Sequence, residues 1–176
     1  MKTNIALIGF MGAGKTTIAE ALAKKMNREF IELDSLIELN AGKAIPDIFT
    51  QDGETVFREI EIKVTEEISQ DRNMVIACGG GIVLNRINID RLKKESLVIY
   101  LSVSPKVLFQ RLTDTKNRRP LLNGKDLETT ISELLEYRKP LYEAAADIII
   151  DTTEMDVDSV VKYISNTLSC DESFNL

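Results

Sequence analysis

The 176 residues include no histidine, two cysteines and four prolines, and no apolar run approaches the ~20 residues that span a bilayer. Without an imidazole anywhere in the chain, Cys78 has no partner to activate it and reads as a small buried hydrophobe rather than a nucleophile. Two widely separated cysteines, Cys78 and Cys170, make neither a disulfide nor a metal framework and fit a reducing compartment. Basic charge is also in deficit. With 22 Lys and Arg against 28 Asp and Glu the formal charge is −6, so the overall field repels nucleic acid and anionic membrane alike. An anionic ligand must therefore be held by a local cluster of donors. A basic leader before an apolar stretch is missing, as are repeats and low-complexity tracts, and a cytoplasmic single domain over 1–176 is expected. The Asn-Lys-x-Asp tetrapeptide by which GTPases read their base does not occur, which argues against a GTPase switch.

What is present is an alternation of short apolar runs with amphipathic stretches. Residues 4–9, 30–33, 74–78, 97–103 and 147–151 read as strands, and 16–26, 34–41, 54–70, 86–94, 104–113, 127–145 and 156–169 as helices. Apolar, β-branched strands joined by helices imply an α/β fold with a parallel sheet covered on both faces and right-handed crossovers. Ligands in such folds collect at the carboxyl ends of the strands. The segment 114–126, polar, basic and punctuated by Pro and Gly, is expected to be a mobile loop, and the last seven residues to be frayed.

Directly after the first strand comes Gly9-x-x-x-x-Gly14-Lys15-Thr16, the spacing of a phosphate-binding loop. Its glycines, Gly12 and Gly14 among them, let backbone N–H groups approach an anion that also feels the helix N-terminus. Lys15 is placed for the β- and γ-phosphates and the Thr16 hydroxyl for Mg²⁺. The loop does not identify the acceptor. Asp34, at the end of the second strand beside Glu32, is either a helix N-cap or a group that serves the acceptor hydroxyl. Glu54, Arg58 and Glu61 recur at helical spacing, as surface ion pairs would and as a binding face would. Gly79, Gly80 and Gly81 follow an apolar strand, either as a flexible turn or as a place where a ligand meets backbone. Arg118 and Arg119 stand in the expected loop and Arg138 in a helical region, where isolated arginines are by default solvated.

Taken in order, GFMGAGKTT, D-x-x-I-E at 34–38, G-E-x-x-F-R-x-x-E at 53–61, GGG at 79–81, RPLL at 119–122 and R-x-P-L-Y at 138–142 make the chain resemble the shikimate kinases over roughly residues 1–168. The resemblance implies a three-layer α/β/α fold with sheet order 2-3-1-4-5, substrate-binding helices near 33–61 and a lid near 113–125. It implies phosphoryl transfer from ATP to the 3-hydroxyl of shikimate, with Mg²⁺, in the pathway to aromatic amino acids. It also assigns roles. Asp34 would hold the acceptor hydroxyl, Arg58 and Arg138 the shikimate carboxylate with Glu61 behind Arg58, and Gly79, Gly80 and Gly81 the ring hydroxyls. Gly12, Ala13, Gly14, Lys15, Thr16 and Thr17 would cradle phosphate, Arg119 would close over it as a catalytic group beside Lys15, and Arg111 would pack on adenine. Thr16 would bind Mg²⁺ directly and Glu32 through water. Two positions depart from the family: Glu32 stands where Asp is usual, and 151–156 lacks the Arg often found near adenine. Another small-molecule kinase of the same fold, acting on a nucleotide or a sugar acid, is the nearest rival. A binding module that had lost catalysis would be expected to lack Lys15, Asp34 or Arg58, and all three are present. A monomer is expected.

Overall fold

A computed structural model describes residues 1–114, 127–171, 173 and 174. Within them β1 (Asn4–Ile8), β2 (Glu29–Glu32), β3 (Met74–Ala77), β4 (Ser96–Ser102) and β5 (Ile148–Asp151) form one parallel sheet in the order β2-β3-β1-β4-β5. Every residue of β1 and β3 is buried, because central parallel strands are covered on both faces. That is why they read as unbroken apolar runs. At the β5 edge the pattern loosens, and Ile149 is exposed while Ile150 is buried. The central register is pinned by a polar side chain: Asn4 donates from Nδ2 to the Asp71 carbonyl at 2.7 Å and accepts the Met74 N–H at 3.0 Å. Both ends of its amide are thus used, which makes a fully buried Asn tolerable.

The crossovers are α1 (Lys15–Met26), α2 (Leu33–Ala41), the single turn α3 (Ile45–Asp47), α4 (Gly53–Ile68), α5 (Arg86–Glu95), α6 (Pro105–Asp114), α7 (Leu127–Ala145) and α8 (Val157–Ser169). Their ends follow capping chemistry. Asn85 accepts the Ile87 N–H at 3.2 Å and Asp156 the Ser159 N–H at 2.8 Å, while α1 stops at Asn27 and α2 at Gly42, both left-handed. Helix α1 packs on α8, and α4 on both α2 and α5. No helix among the described residues is long and apolar enough to cross a membrane.

Two expectations need correction. The C-terminal residues are not simply frayed: Phe174 is buried, Lys2 bridges to it in parallel, and Lys2 N–H donates to Ser173 O at 2.8 Å. The Arg28 guanidinium lies 4.8 Å from the centre of the Phe174 ring, so an aromatic anchor holds the tail against the start of β1. The stretch between α2 and α4, to which no element was given, holds α3 and a π-helical turn at Ile48–Asp52. Glu38 shapes it by accepting the Ile45 N–H at 2.9 Å, at the start of α3.

Candidate active site

The phosphate loop turns from β1 into α1 over Gly9, Gly12 and Gly14, whose φ values are 151°, 80° and 90°. At Gly9 a Cβ would stand 2.8 Å from the Leu101 carbonyl oxygen, so only glycine lets β1 leave the sheet here. Lys15 reaches back across the loop, donating to the carbonyls of Gly9 and Phe10 at 3.0 Å each. Its ammonium therefore sits within the turn rather than in solvent. Thr16 and Thr17 are exposed in the first turn of α1, and Arg111 of α6 donates to the Gly12 carbonyl at 3.3 Å. The loop, α1 and Arg111 thus share one edge, at the carboxyl ends of the strands.

Beside the loop opens a cavity of about 260 Å³. Its polar lining is Asp34, Arg58, Glu61, Gly79, Gly80, Gly81 and Arg138, and its apolar wall is Met11, Ile45, Pro46, Phe49 and Phe57. Five chain segments that are remote in sequence meet there. Phe49 from the π turn and Phe57 from α4 touch with ring centres 4.7 Å apart. In a chain of net charge −6 this cavity holds two guanidinium groups, the local cluster that an anion requires.

The Arg58 guanidinium is held on several sides. Nη1 donates to both Glu61 oxygens at 3.1 Å and to the Gly81 carbonyl at 3.3 Å, while Nε and Nη2 donate to Glu54 Oε1 at 3.3 and 3.1 Å. Glu61 is only 1% exposed, so its pair with Arg58 is not the surface contact that the spacing equally allowed. Burial pushes the Glu61 carboxyl up, with Arg58 acting to lower it and Asp34 and Glu54 adding to the rise. Glu54 is 61% exposed and holds its edge of Arg58 from the solvent side.

Arg138, 6% exposed, is likewise no surface group. Its Nη1 lies 3.5 Å from the Gly80 carbonyl and its Nε, buried, has no hydrogen-bond acceptor among the described residues. A buried donor of a charged group facing a cavity calls for an anionic partner. The Tyr142 hydroxyl, one helical turn on, donates to the same Gly80 carbonyl, and its ring stacks on Tyr100 with centres 5.0 Å apart. Burial raises the Tyr142 pKa despite the lowering effect of Arg138, so the phenol keeps the proton it donates.

Asp34 lies in the first turn of α2, one residue inside a helix that begins at Leu33. It is not the N-cap, a position that falls to Glu32. A Cβ on Gly79 would stand 2.7 Å from Asp34 Oδ1, so the glycine turn leaves room for this carboxylate at the cavity. The Cys78 thiol is fully buried, and burial raises its pKa; Lys15 opposes the rise and Glu61, Asp34 and Glu32 reinforce it. Among the described residues no cluster of three or more His, Cys, Asp or Glu could hold a metal on its own. Arg118 and Arg119, with most of the expected lid, lie outside the described residues. Sequence reading did not single out Tyr142, Glu38, the apolar wall or Asn88, whose amide donates to Glu61 Oε2 at 3.2 Å. Tyr142 and Glu38 end quoted motifs, which is the signal that could have found them.

Residues 11–169 match the family model described as shikimate kinase. A shikimate kinase of Thermodesulfovibrio yellowstonii is 44% identical over 161 residues, 92% of this chain and 92% of that protein. Among solved structures, a shikimate kinase from Acinetobacter baumannii in complex with shikimate superposes with a TM-score of 0.91 at 35% identity, covering 98% of this chain and 96% of that one. The shikimate kinase from Bacteroides thetaiotaomicron gives 0.88 at 37% identity, over 95% and 98% of the two chains.

Proposed function

The chain belongs to the shikimate kinase family, and from that premise we propose how its own residues perform the reaction. The enzyme transfers a phosphoryl group from ATP to shikimate, within the aromatic amino acid pathway. The acceptor atom is the 3-hydroxyl. The observation that carries this reading is the cavity next to the phosphate loop, where a carboxylate, Asp34, and two guanidinium groups, Arg58 and Arg138, face one space.

Shikimate enters with its carboxylate toward Arg58 and Arg138. The buried Arg138 Nε supplies a donor that lacks an acceptor among the described residues, and a planar guanidinium matches a carboxylate with two parallel bonds. For Arg58 the incoming carboxylate competes with Glu54, which already takes the Nε and Nη2 protons. Ring hydroxyls meet the backbone of Gly79, Gly80 and Gly81, while Phe49 and Phe57 cover the apolar part of the ring. Asp34 accepts the proton of the reacting hydroxyl and orients its oxygen toward the γ-phosphate.

On the other side the N–H groups of Gly12, Ala13, Gly14, Lys15, Thr16 and Thr17 cradle the phosphates, and Lys15 turns from the Gly9 and Phe10 carbonyls to the transferring group. Arg111 borders the adenine, and Arg119 closes over the phosphates. Mg²⁺ would fit as an ion shared with ATP: the exposed Thr16 hydroxyl would hold it and Glu32 would do so through water, and an ion that keeps several waters needs no all-protein cage. When bound it neutralises phosphate charge. Most of the catalysis is positioning and charge neutralisation, as phosphoryl transfer requires. The elements act as one kinase domain over 1–176, with substrate-binding helices near 33–61 and a lid near 113–125, as a monomer in the cytoplasm; both cysteines are free, in keeping with a reducing compartment.

Asp34→Ala tests the chemistry. The variant is expected to keep the ATP affinity of the parent while losing roughly 10²–10⁴ in turnover, the range of a positioned acid or base. Near-parental turnover would remove Asp34 from the mechanism.

A further inference from the structure

Asn88 sits in the first turn of α5, just after the glycine turn, and is fully buried. Its Nδ2 donates to Glu61 Oε2 at 3.2 Å, yet its Oδ1 has no hydrogen-bond donor among the described residues. The end of the amide that is used, donating to a buried carboxylate, points to what this asparagine does.

Glu61 needs fixing about its last torsion. Arg58 Nη1 lies 3.1 Å from each Glu61 oxygen, a symmetric contact that does not by itself distinguish the two oxygens. The donor from Asn88 reaches one oxygen from the α5 side and breaks that symmetry. We propose that Asn88 is a positioning residue for the acceptor substrate: it locks the Glu61 carboxylate, and through it the Arg58 guanidinium, in the orientation that receives the shikimate carboxylate.

The chain of contacts runs from α5 to α4 to the cavity. Asn88 itself is fixed by its N–H to the Asn85 carbonyl at 3.1 Å, within the capped start of α5. The charged groups that act on Glu61 are Arg58, which favours its ionised form, and Asp34 and Glu54, which oppose it. Against burial and two like charges, a neutral donor helps to keep Glu61 ionised and facing Arg58. This inference rests on Arg58 as a carboxylate ligand.

Two variants test it, with Arg58→Ala as the reference. Asn88→Leu keeps the shape and removes the donor. The shikimate KM is expected to rise about 5- to 20-fold, while the ATP KM stays within twofold and the melting temperature does not fall. Asn88→Asp puts a second carboxyl against Glu61, so the two share a proton in acid and repel once it is lost. Its shikimate KM is expected to climb with pH more steeply than the parent's, a dependence that mere loosening of the fold would not give. In the double variant Asn88→Leu should add nothing to Arg58→Ala, since both act through one contact. A parental shikimate KM in Asn88→Leu, equal rises for both substrates, or a parental pH profile in Asn88→Asp overturns the proposal. If Arg58→Ala itself leaves the shikimate KM unchanged, the reading of Arg58 fails instead.

Discussion

Gly81→Ala separates the geometry of Arg58 from the rest of the cavity. Gly81 has φ −99° and ψ 2°, which an alanine adopts without left-handed strain, so the perturbation is one of space alone. The new methyl would stand 2.7 Å from Arg58 Nη2 and 2.8 Å from Nη1, inside any tolerable contact. A loose arginine would swing away at little cost. This one is tied by Nη1 to both Glu61 oxygens and by Nε and Nη2 to Glu54, so relief comes only by breaking one of those ties or tilting the guanidinium out of the cavity. Relief at the Glu61 side, or by tilting, takes the guanidinium off the substrate carboxylate and removes a charged hydrogen bond, about 1.5–3 kcal/mol. At 1.36 kcal/mol per factor of ten, that is a shikimate KM raised by roughly 10- to 150-fold. The ATP KM should stay within about twofold, since the nearest atoms to the new methyl are those of Arg58 and not of the phosphate loop. Initial rates of ADP release with each substrate varied in turn would measure both. A parental shikimate KM, or an equal rise for ATP, would refute the reasoning, because the methyl would then have displaced nothing that reads the acceptor.

Other consequences follow from single contacts. Glu54→Gln should lower the shikimate KM about twofold, the scale of an exposed i,i+4 ion pair, by easing Glu54 off the Arg58 edge; a higher KM would make Glu54 a helper rather than a competitor. Burial acts to raise the Asp147 pKa, but the Val98 N–H and Lys2, each at 2.9 Å, with Lys93 beyond, hold it below the usual range. A lowered folded value means stability present above the ordinary carboxylate pKa and lost as pH falls through the lowered one. Asp147→Asn should therefore melt lower than the parent at pH 7, by an amount on the order of 1 kcal/mol, and the gap should close in acid; a gap that persists in acid would contradict the linkage. Phe174→Ala should cost about 2 kcal/mol of stability by exposing the tail anchor, with both KM values unchanged; an unchanged thermal melt would mean that the tail does not hold β1.

Much of the fold was legible because the strands are apolar runs bounded by turn chemistry. β3, read as 74–78, ends at Ala77, and β4, read as 97–103, runs from Ser96 to Ser102. The phosphate loop was equally plain, since its function depends on a local string of glycines. The wall at Ile45–Asp52 was not. Its turns are too short for a period to register, and what holds it, Glu38 on the Ile45 N–H, is a contact between side chain and loop. Arg58 and Glu61 could be placed on one helical face, but whether that face was solvated depended on α5, whose Asn88 touches Glu61 across 27 positions. Arg138 and Tyr142 met the same limit: their target is the Gly80 carbonyl, far away in sequence. The aromatic anchor at Phe174 was hidden because a single buried ring in a polar tail leaves no pattern.

The central claim is that Arg58 and Arg138 read a carboxylate on the ring alcohol that Asp34 presents to ATP. The most direct measurement compares shikimate with its methyl ester as acceptors for the same enzyme, in the parent and in Arg138→Ala. With the parent, the ester is expected to show a KM at least about 100-fold above that of the acid, the loss of charged hydrogen bonds at 1.5–3 kcal/mol each. In Arg138→Ala the difference should shrink markedly. An ester phosphorylated by the parent with the same KM as the acid would contradict the claim.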